Sequence, residues 1–158
     1  DIMTAVRIAG EFGVNLVLEH CTEGHLVASK LAEKGIPAVI GPVLTNRAKV
    51  ELQGITLETA SILAEAGVRF AIMTDHPVVP IQYLVISAAL AVKGGLPVEH
   101  ALRAVTIDAA VILGLEKRLG SLEPGKDADL VVWSGNPLDI SSRVEQVFIG
   151  GVKVFPFS

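Results

Sequence analysis

The stretch FAIMTDHP, Phe70 to Pro77, runs four apolar residues straight into Thr74, Asp75, His76 and Pro77. A buried strand that ends in a carboxylate and an imidazole needs a reason. Charged side chains are rarely buried unless they are paired or bind a metal. One reading is an ordinary polar strand end. The other is a strand that delivers chemistry to its C-terminal edge.

Two apolar runs upstream have a similar shape. Leu16 to Leu18 leads into Glu19, His20 and Cys21, and Ala38 to Ile40 leads into Gly41 and Pro42. Helical patterns surround them. Ile2, Ala5, Val6, Ala9 and Phe12 recur at spacings of three and four, and Gly13 follows as a stop. Thr22 to Gly35 predicts a helix with Thr22 as N-cap and Gly35 as its end. Residues 45 to 56 are polar and irregular, which predicts a long loop. LETASILAEAG predicts a helix that stops at Gly67, and another is predicted from about Pro80 to Lys93. Strands alternating with helices, and strands that are near-continuously apolar, are the signature of parallel βα units buried on both sheet faces.

After Pro97 the pattern changes. PVEHALRAVTIDAAVILGL predicts two short helices split near Thr106, with Gly114 as a stop. From Leu119 onward, short apolar runs and the turn dipeptides Pro124-Gly125 and Gly150-Gly151 predict a small β region. The fold class is therefore α/β with a β-rich C-terminal segment.

The bulk properties limit the partners. With 158 residues the chain can build a core of its own. A formal net charge of −4 argues against a nucleic-acid footprint. The longest apolar run, Val78 to Val92, is interrupted by Pro80 and Gln82. It is also shorter than the roughly 20 residues a membrane span needs, so a buried helix is expected and no membrane partner. A single cysteine, Cys21, excludes an intramolecular disulfide and a cysteine-rich zinc module, and fits a reducing, cytoplasmic setting. No signal-peptide pattern occurs. The chain opens at Asp1, inside a helical pattern, so a fragment of a longer protein is expected.

Functional groups in parallel α/β folds gather at the C-terminal ends of strands. His20 and Asp75 sit there. Imidazole and carboxylate are usual ligands of a catalytic metal, and aspartate also serves as a general base. On spacing alone, a hydrogen-bonded structural role competes for His20. Glu23 and His25 follow at a predicted helix start, where they could line a pocket, although glutamate in a first turn is already favoured by the helix dipole. Cys21 reads as a small buried thiol. His100 falls on the exposed face of an amphipathic helix, and Asp127 and Asp129 flank a turn. No G-x-S-x-G, P-loop or G-x-G-x-x-G motif occurs.

Four segments carry a family resemblance: LVLEHCTEGH, TDHPVVP, TIDAAVILGLEKRLGSLEPGKDADLVVWSGNPLD and VFIGGVKV. Together they resemble the C-terminal half of the amidohydrolase superfamily, closest to its imidazolonepropionase-like branch. The resemblance covers essentially the whole chain, and GSLEPGKDADLVVW is its most specific part. It implies a metal-binding (β/α)8 barrel. Residues 1–117 would hold about its last three βα units, and residues 118–158 the short strands of an appended β-sandwich. By this mapping His20 is the strand-six histidine, a ligand of a second metal or a contact to the substrate carbonyl. Asp75 is the strand-eight aspartate, which binds the metal and takes the proton of the attacking water. His76, Glu23 and His25 would face the substrate.

The resemblance also implies a divalent metal, zinc or iron, in the full-length parent, and a small-molecule substrate. The family's His-X-His pair on strand one is absent, and so is its strand-four lysine or glutamate. Its strand-five histidine would lie just upstream of Asp1. The chain also falls short of the roughly 250 residues of a full barrel. The expected function is that of a fragment of a metal-dependent amidohydrolase that cleaves a C–N bond in a cyclic amide or related small molecule. Alone, the chain is expected to hold no metal tightly and to be inactive. The alternative is a non-catalytic domain for association or small-molecule binding. Unpaired barrel edges and high apolar content predict a homo-oligomer.

Overall fold

The structure, a computed structural model, describes residues 1–156. Its first part is a parallel sheet of three strands, β1 (Leu18–His20), β2 (Ala38–Ile40) and β3 (Phe70–Ile72), in that order. Leu18, Ala38 and Phe70 stand level across the sheet, then Glu19, Val39 and Ala71, then His20, Ile40 and Ile72. Six helices accompany it: α1 (Ile2–Phe12), α2 (Ala28–Glu33), α3 (Thr59–Glu65), α4 (Leu84–Lys93), α5 (Val98–Ala104) and α6 (Ile107–Ile112). None of the helices among the described residues is long and apolar enough to cross a membrane.

Side-chain alternation sorts the sheet into two faces. Leu18, Ala38, Ile40, Phe70 and Ile72 pack with Leu31 of α2, Leu63 of α3 and Ala88 of α4 in one apolar core. Leu31 and Leu63 are fully buried. Each contributes about 1.5–3 kcal/mol relative to an exposed position. The expectation of burial on both faces holds only at β3, where all three residues are buried. On β1 the opposite face carries Glu19, which is exposed, and on β2 it carries half-buried Val39.

The predicted stops are where the backbone turns. Gly13, Gly35, Gly67 and Gly114 all have positive φ, a conformation glycine adopts without strain. Other boundaries move. The first strand begins at Leu18, not Leu16, and the long loop contains a short 3-10 turn at Val50–Leu52. The helix expected to be capped by Thr22 starts only at Ala28, after a 3-10 turn at Gly24–Val27.

The delay has a cause. His20 and Cys21 adopt φ of 62° and 42°, so the chain reverses at the end of β1 and drives Cys21 into the core at 4% exposure. The Gly24 N–H then donates to the Cys21 carbonyl at 2.9 Å. A Cβ at Gly24 would lie 2.5 Å from the Cys21 sulfur. Gly24→Ala is therefore expected to cost about 1–3 kcal/mol, the usual range for overpacking. Adding Cys21→Ala removes the obstructing sulfur. The double variant should recover most of the Gly24→Ala cost, a coupling of about 1 kcal/mol or more. Urea unfolding of the two single variants and the double variant checks this. Simple additivity would contradict the contact.

The C-terminal part is an antiparallel sheet of β4 (Leu130–Trp133), β5 (Val144–Ile149) and β6 (Val152–Phe155). The strand structure expected from Leu119 begins only at Leu130, and the residues between form turns. Gly150 and Gly151, at φ 56° and 78°, close the β5–β6 hairpin. The Asp129 carboxylate accepts the Gly150 N–H at 2.7 Å, and Asp127 pairs with Arg118 at 2.7 Å. Both aspartates are thus structural, as the turn pattern implied. Leu138 packs against the main core.

Candidate active site

The C-terminal edge of the parallel sheet is formed by the residues that leave β1, β2 and β3. Three non-glycine residues among those described have positive φ: His20, Cys21 and Asp75, the last at 53°. All three lie at this edge, following β1 and β3. Such conformations cost about 1–3 kcal/mol each and cluster at functional sites. Here they turn His20 outward to an exposed position and Cys21 inward. Burial pushes the Cys21 thiol above its ordinary pKa, which leaves it in the unreactive thiol form.

His20 is fixed from the neighbouring strand. Its Nδ1 lies 3.0 Å from the carbonyl of Gly41, which directly follows β2. A carbonyl can only accept, so Nδ1 carries the proton, and in the neutral ring the lone pair is on Nε2. Metal-ligating histidines are commonly oriented in this way. Gly41 can serve because φ is 125° there and its missing Cβ leaves room for the Met73 carbonyl.

Asp75 is half-buried in the loop after β3. Its main chain is pinned: the Val78 N–H donates to the Asp75 carbonyl at 2.8 Å, and the Val79 N–H donates to the Thr74 carbonyl at 3.2 Å. Thr74 and Val79 are both buried. The Asp75 carboxylate takes part in no ion pair among the described residues. A pinned backbone and an uncommitted carboxylate are what a ligand or a general base requires.

The other candidates surround these two. His76 is exposed, and its Nδ1 accepts the Ile81 N–H at 3.3 Å. His25 is half-buried, with Nδ1 3.1 Å from the Oγ1 of buried Thr59. The Glu23 side chain lies against Gly54. The Glu23 and His25 contacts tie the segment after β1 to the long loop after β2 and to the start of α3. Under that junction lies a small, mostly apolar cavity of about 30 Å³, lined by His20, Thr22, Gly41, Ile55, Leu57 and Met73 among others. His100 on α5 is exposed, as its helix pattern implied.

Sequence reasoning missed Gly41 and Thr59, the two partners that orient histidines. Gly41 had a signal: a glycine between a strand end and a proline marks a backbone position that other residues resist. Thr59 had none. It sits 34 residues from His25 in the chain.

His20 Nε2 and the Asp75 carboxylate have the chemistry of metal ligands. They are two, and no group of three or more His, Cys, Asp and Glu side chains lies close enough to hold a metal among the described residues.

The sequence profile of the amidohydrolase family matches residues 3–154 of this chain. The chain belongs to the amidohydrolase family. It is 32% identical over 159 residues to the amidohydrolase tasK of Hapsidospora irregularis, covering 98% of this chain and 16% of that protein. It is 39% identical over 145 residues to an imidazolonepropionase of Rhizorhabdus wittichii, covering 90% of this chain and 34% of that protein. Among solved structures, an amidohydrolase from Thermotoga maritima superposes with a TM-score of 0.94 at 55% identity. That match covers 98% of this chain and 40% of the solved chain. The chain thus spans less than half the length of each of these relatives.

Proposed function

We propose that this chain is the C-terminal part of a metal-dependent amidohydrolase that hydrolyses a C–N bond in a cyclic amide or related small molecule. In this reading β1, β2 and β3 are strands six, seven and eight of a (β/α)8 barrel. Residues 1–117 belong to the barrel, and residues 118–158, of which 157 and 158 lie outside the described residues, to its appended β-sandwich. The setting is cytoplasmic. One observation carries the reading: His20 and Asp75 stand at the same edge of a parallel sheet, each in a strained conformation with an uncommitted ligand atom.

His20 and Asp75 would hold a divalent ion, zinc or iron, together with ligands from the rest of the barrel. When bound, such an ion polarises the scissile carbonyl and acidifies water. The protein's own groups do the remaining work. The Asp75 carboxylate accepts the proton of the attacking water and passes it to the leaving nitrogen. Gly41 keeps the His20 ring in the tautomer that presents Nε2 to the metal or the substrate carbonyl. Glu23, His25 and His76 line the mouth on the substrate side. The face bearing Glu19 and Val39 and the outer edges of β1 and β3 are covered by the missing barrel strands. In the isolated chain they drive self-association instead.

Two measurements test this. In the intact protein, chelation should abolish hydrolysis of cyclic amides, and zinc or iron should restore it. Unchanged hydrolysis after chelation would refute the reading. Metal analysis of the isolated 158-residue chain should find no stoichiometric ion, since catalytic sites usually need three protein ligands.

A further inference from the structure

Glu19 is the one carboxylate in the three parallel strands. It is the middle residue of β1, level with Val39 and Ala71. Leu18 beside it packs on the helices, so by alternation Glu19 stands on the sheet face turned away from them. That face offers it no opposite charge. The residues level with it are apolar, and no ion pair among the described residues includes it. Glutamate is depleted in strands, where an apolar or β-branched residue packs better. Its place in the middle of β1 needs a reason other than packing.

The chain spans less than half of its solved relative, and on the barrel reading the missing strands close over this face. Glu19 then lies inside the barrel. An enclosed carboxylate without a partner is strongly unfavourable, so it must meet a cation or a hydrogen-bond donor from the part of the protein outside this chain.

The height of Glu19 narrows the choice. It is one residue, about 3.3 Å of strand, below His20 at the C-terminal edge. This chain supplies two ligand groups there, His20 and Asp75, and a catalytic site usually needs three, so at least one more comes from outside the chain. Metal-ligating histidines almost always donate their second ring N–H to an acceptor. For His20 that acceptor is the Gly41 carbonyl. A histidine ligand from the missing strands needs an acceptor of its own, and Glu19 is the strand carboxylate directly beneath that edge.

We propose that Glu19 is a positioning residue for the metal centre: its carboxylate accepts the ring N–H of a metal-ligating histidine contributed by the part of the protein outside this chain. This rests on the amidohydrolase reading and adds to it a residue that touches neither metal nor substrate. The carboxylate fixes the tautomer and orientation of that ligand, as the Gly41 carbonyl does for His20.

The test uses the intact protein, zinc alone, and the variants Glu19→Gln and Glu19→Ala. Zinc affinity is measured by competition with a chelator, and thermal unfolding is measured on the metal-free protein. Glu19→Ala should weaken zinc binding by about tenfold to a hundredfold, the usual effect of losing such an outer partner. Glu19→Gln keeps a neutral acceptor oxygen and should recover part of that loss. The metal-free melting temperatures of both variants should match or exceed the wild type, because a neutral side chain is easier to enclose than a carboxylate. Cobalt in place of zinc should give the same visible spectrum in the wild type and Glu19→Gln, since the ligands themselves are unchanged.

Unchanged zinc affinity in Glu19→Ala would overturn the assignment. So would metal-free melting temperatures that fall in both variants, the mark of a structural ion pair with a lysine or arginine. An altered cobalt spectrum in Glu19→Gln would overturn it too, as the mark of direct ligation. These three results leave the amidohydrolase reading intact. A wild type that binds no zinc would overturn that reading and this assignment together.

Discussion

We expect Asp75→Asn in the intact protein to lower turnover by at least about 10²-fold, the usual effect of losing a general base, and to leave folding almost unchanged. The two halves of this expectation have separate causes. Asparagine keeps the shape of the side chain and removes its charge and its basicity. It also tolerates the backbone: φ at Asp75 is 53°, and asparagine is among the few non-glycine residues that adopt the left-handed region readily. The carboxylate makes no ion pair among the described residues, so none is lost. Unfolding midpoints should agree closely. Steady-state kinetics on both forms decides the matter. Near-normal turnover in the variant would remove Asp75 from the mechanism.

Gly41→Ala should have the largest effect on the fold. At φ 125° a Cβ is strained regardless of its surroundings, and here it would stand 2.3 Å from the Met73 carbonyl oxygen. That oxygen is backbone, in the segment that continues β3, so it cannot swing aside as a side chain would. Backbone strain of about 1–3 kcal/mol and overpacking of about 1–3 kcal/mol act together. We expect a loss of about 3 kcal/mol or more in denaturant unfolding. Gly13→Ala is the control. Gly13 also has positive φ, at 61°, but a Cβ there would meet nothing within 4 Å. It should cost only about 1–2 kcal/mol, the left-handed penalty alone. Equal losses at the two sites would show that the Met73 contact does not matter. Because the Gly41 carbonyl also holds His20, any folded Gly41→Ala protein should lose activity beyond its loss of stability.

The elements legible in the sequence are those set by neighbours along the chain. The spacing of Ile2, Val6 and Ala9 defines the buried side of α1, and its end at Gly13 follows from what glycine alone tolerates. The apolar triplets at 38–40 and 70–72 are strands for the same local reason, and the polar residues that follow such runs, Asp75 above all, stand out as candidates. The boundaries that moved are those where a distant contact overrides local preference. Thr22 has the chemistry of an N-cap, but burying Cys21 against Gly24 takes the chain through a tight reversal first, and α2 waits until Ala28.

Local pattern thus supplies a menu: three short parallel strands with their helices, a C-terminal β segment, and a histidine and an aspartate placed where strands end. How those two residues are held depends on contacts between distant parts of the chain. The register that sets His20 level with Ile40 and Ile72, the Gly41 carbonyl that fixes its tautomer, and the Thr59 hydroxyl that holds His25 all join residues far apart in sequence. Periodicity along a chain encodes which side of an element is apolar. It carries no information about which distant backbone atom will lie opposite a given side chain, because that depends on how whole layers pack to exclude water and fill space.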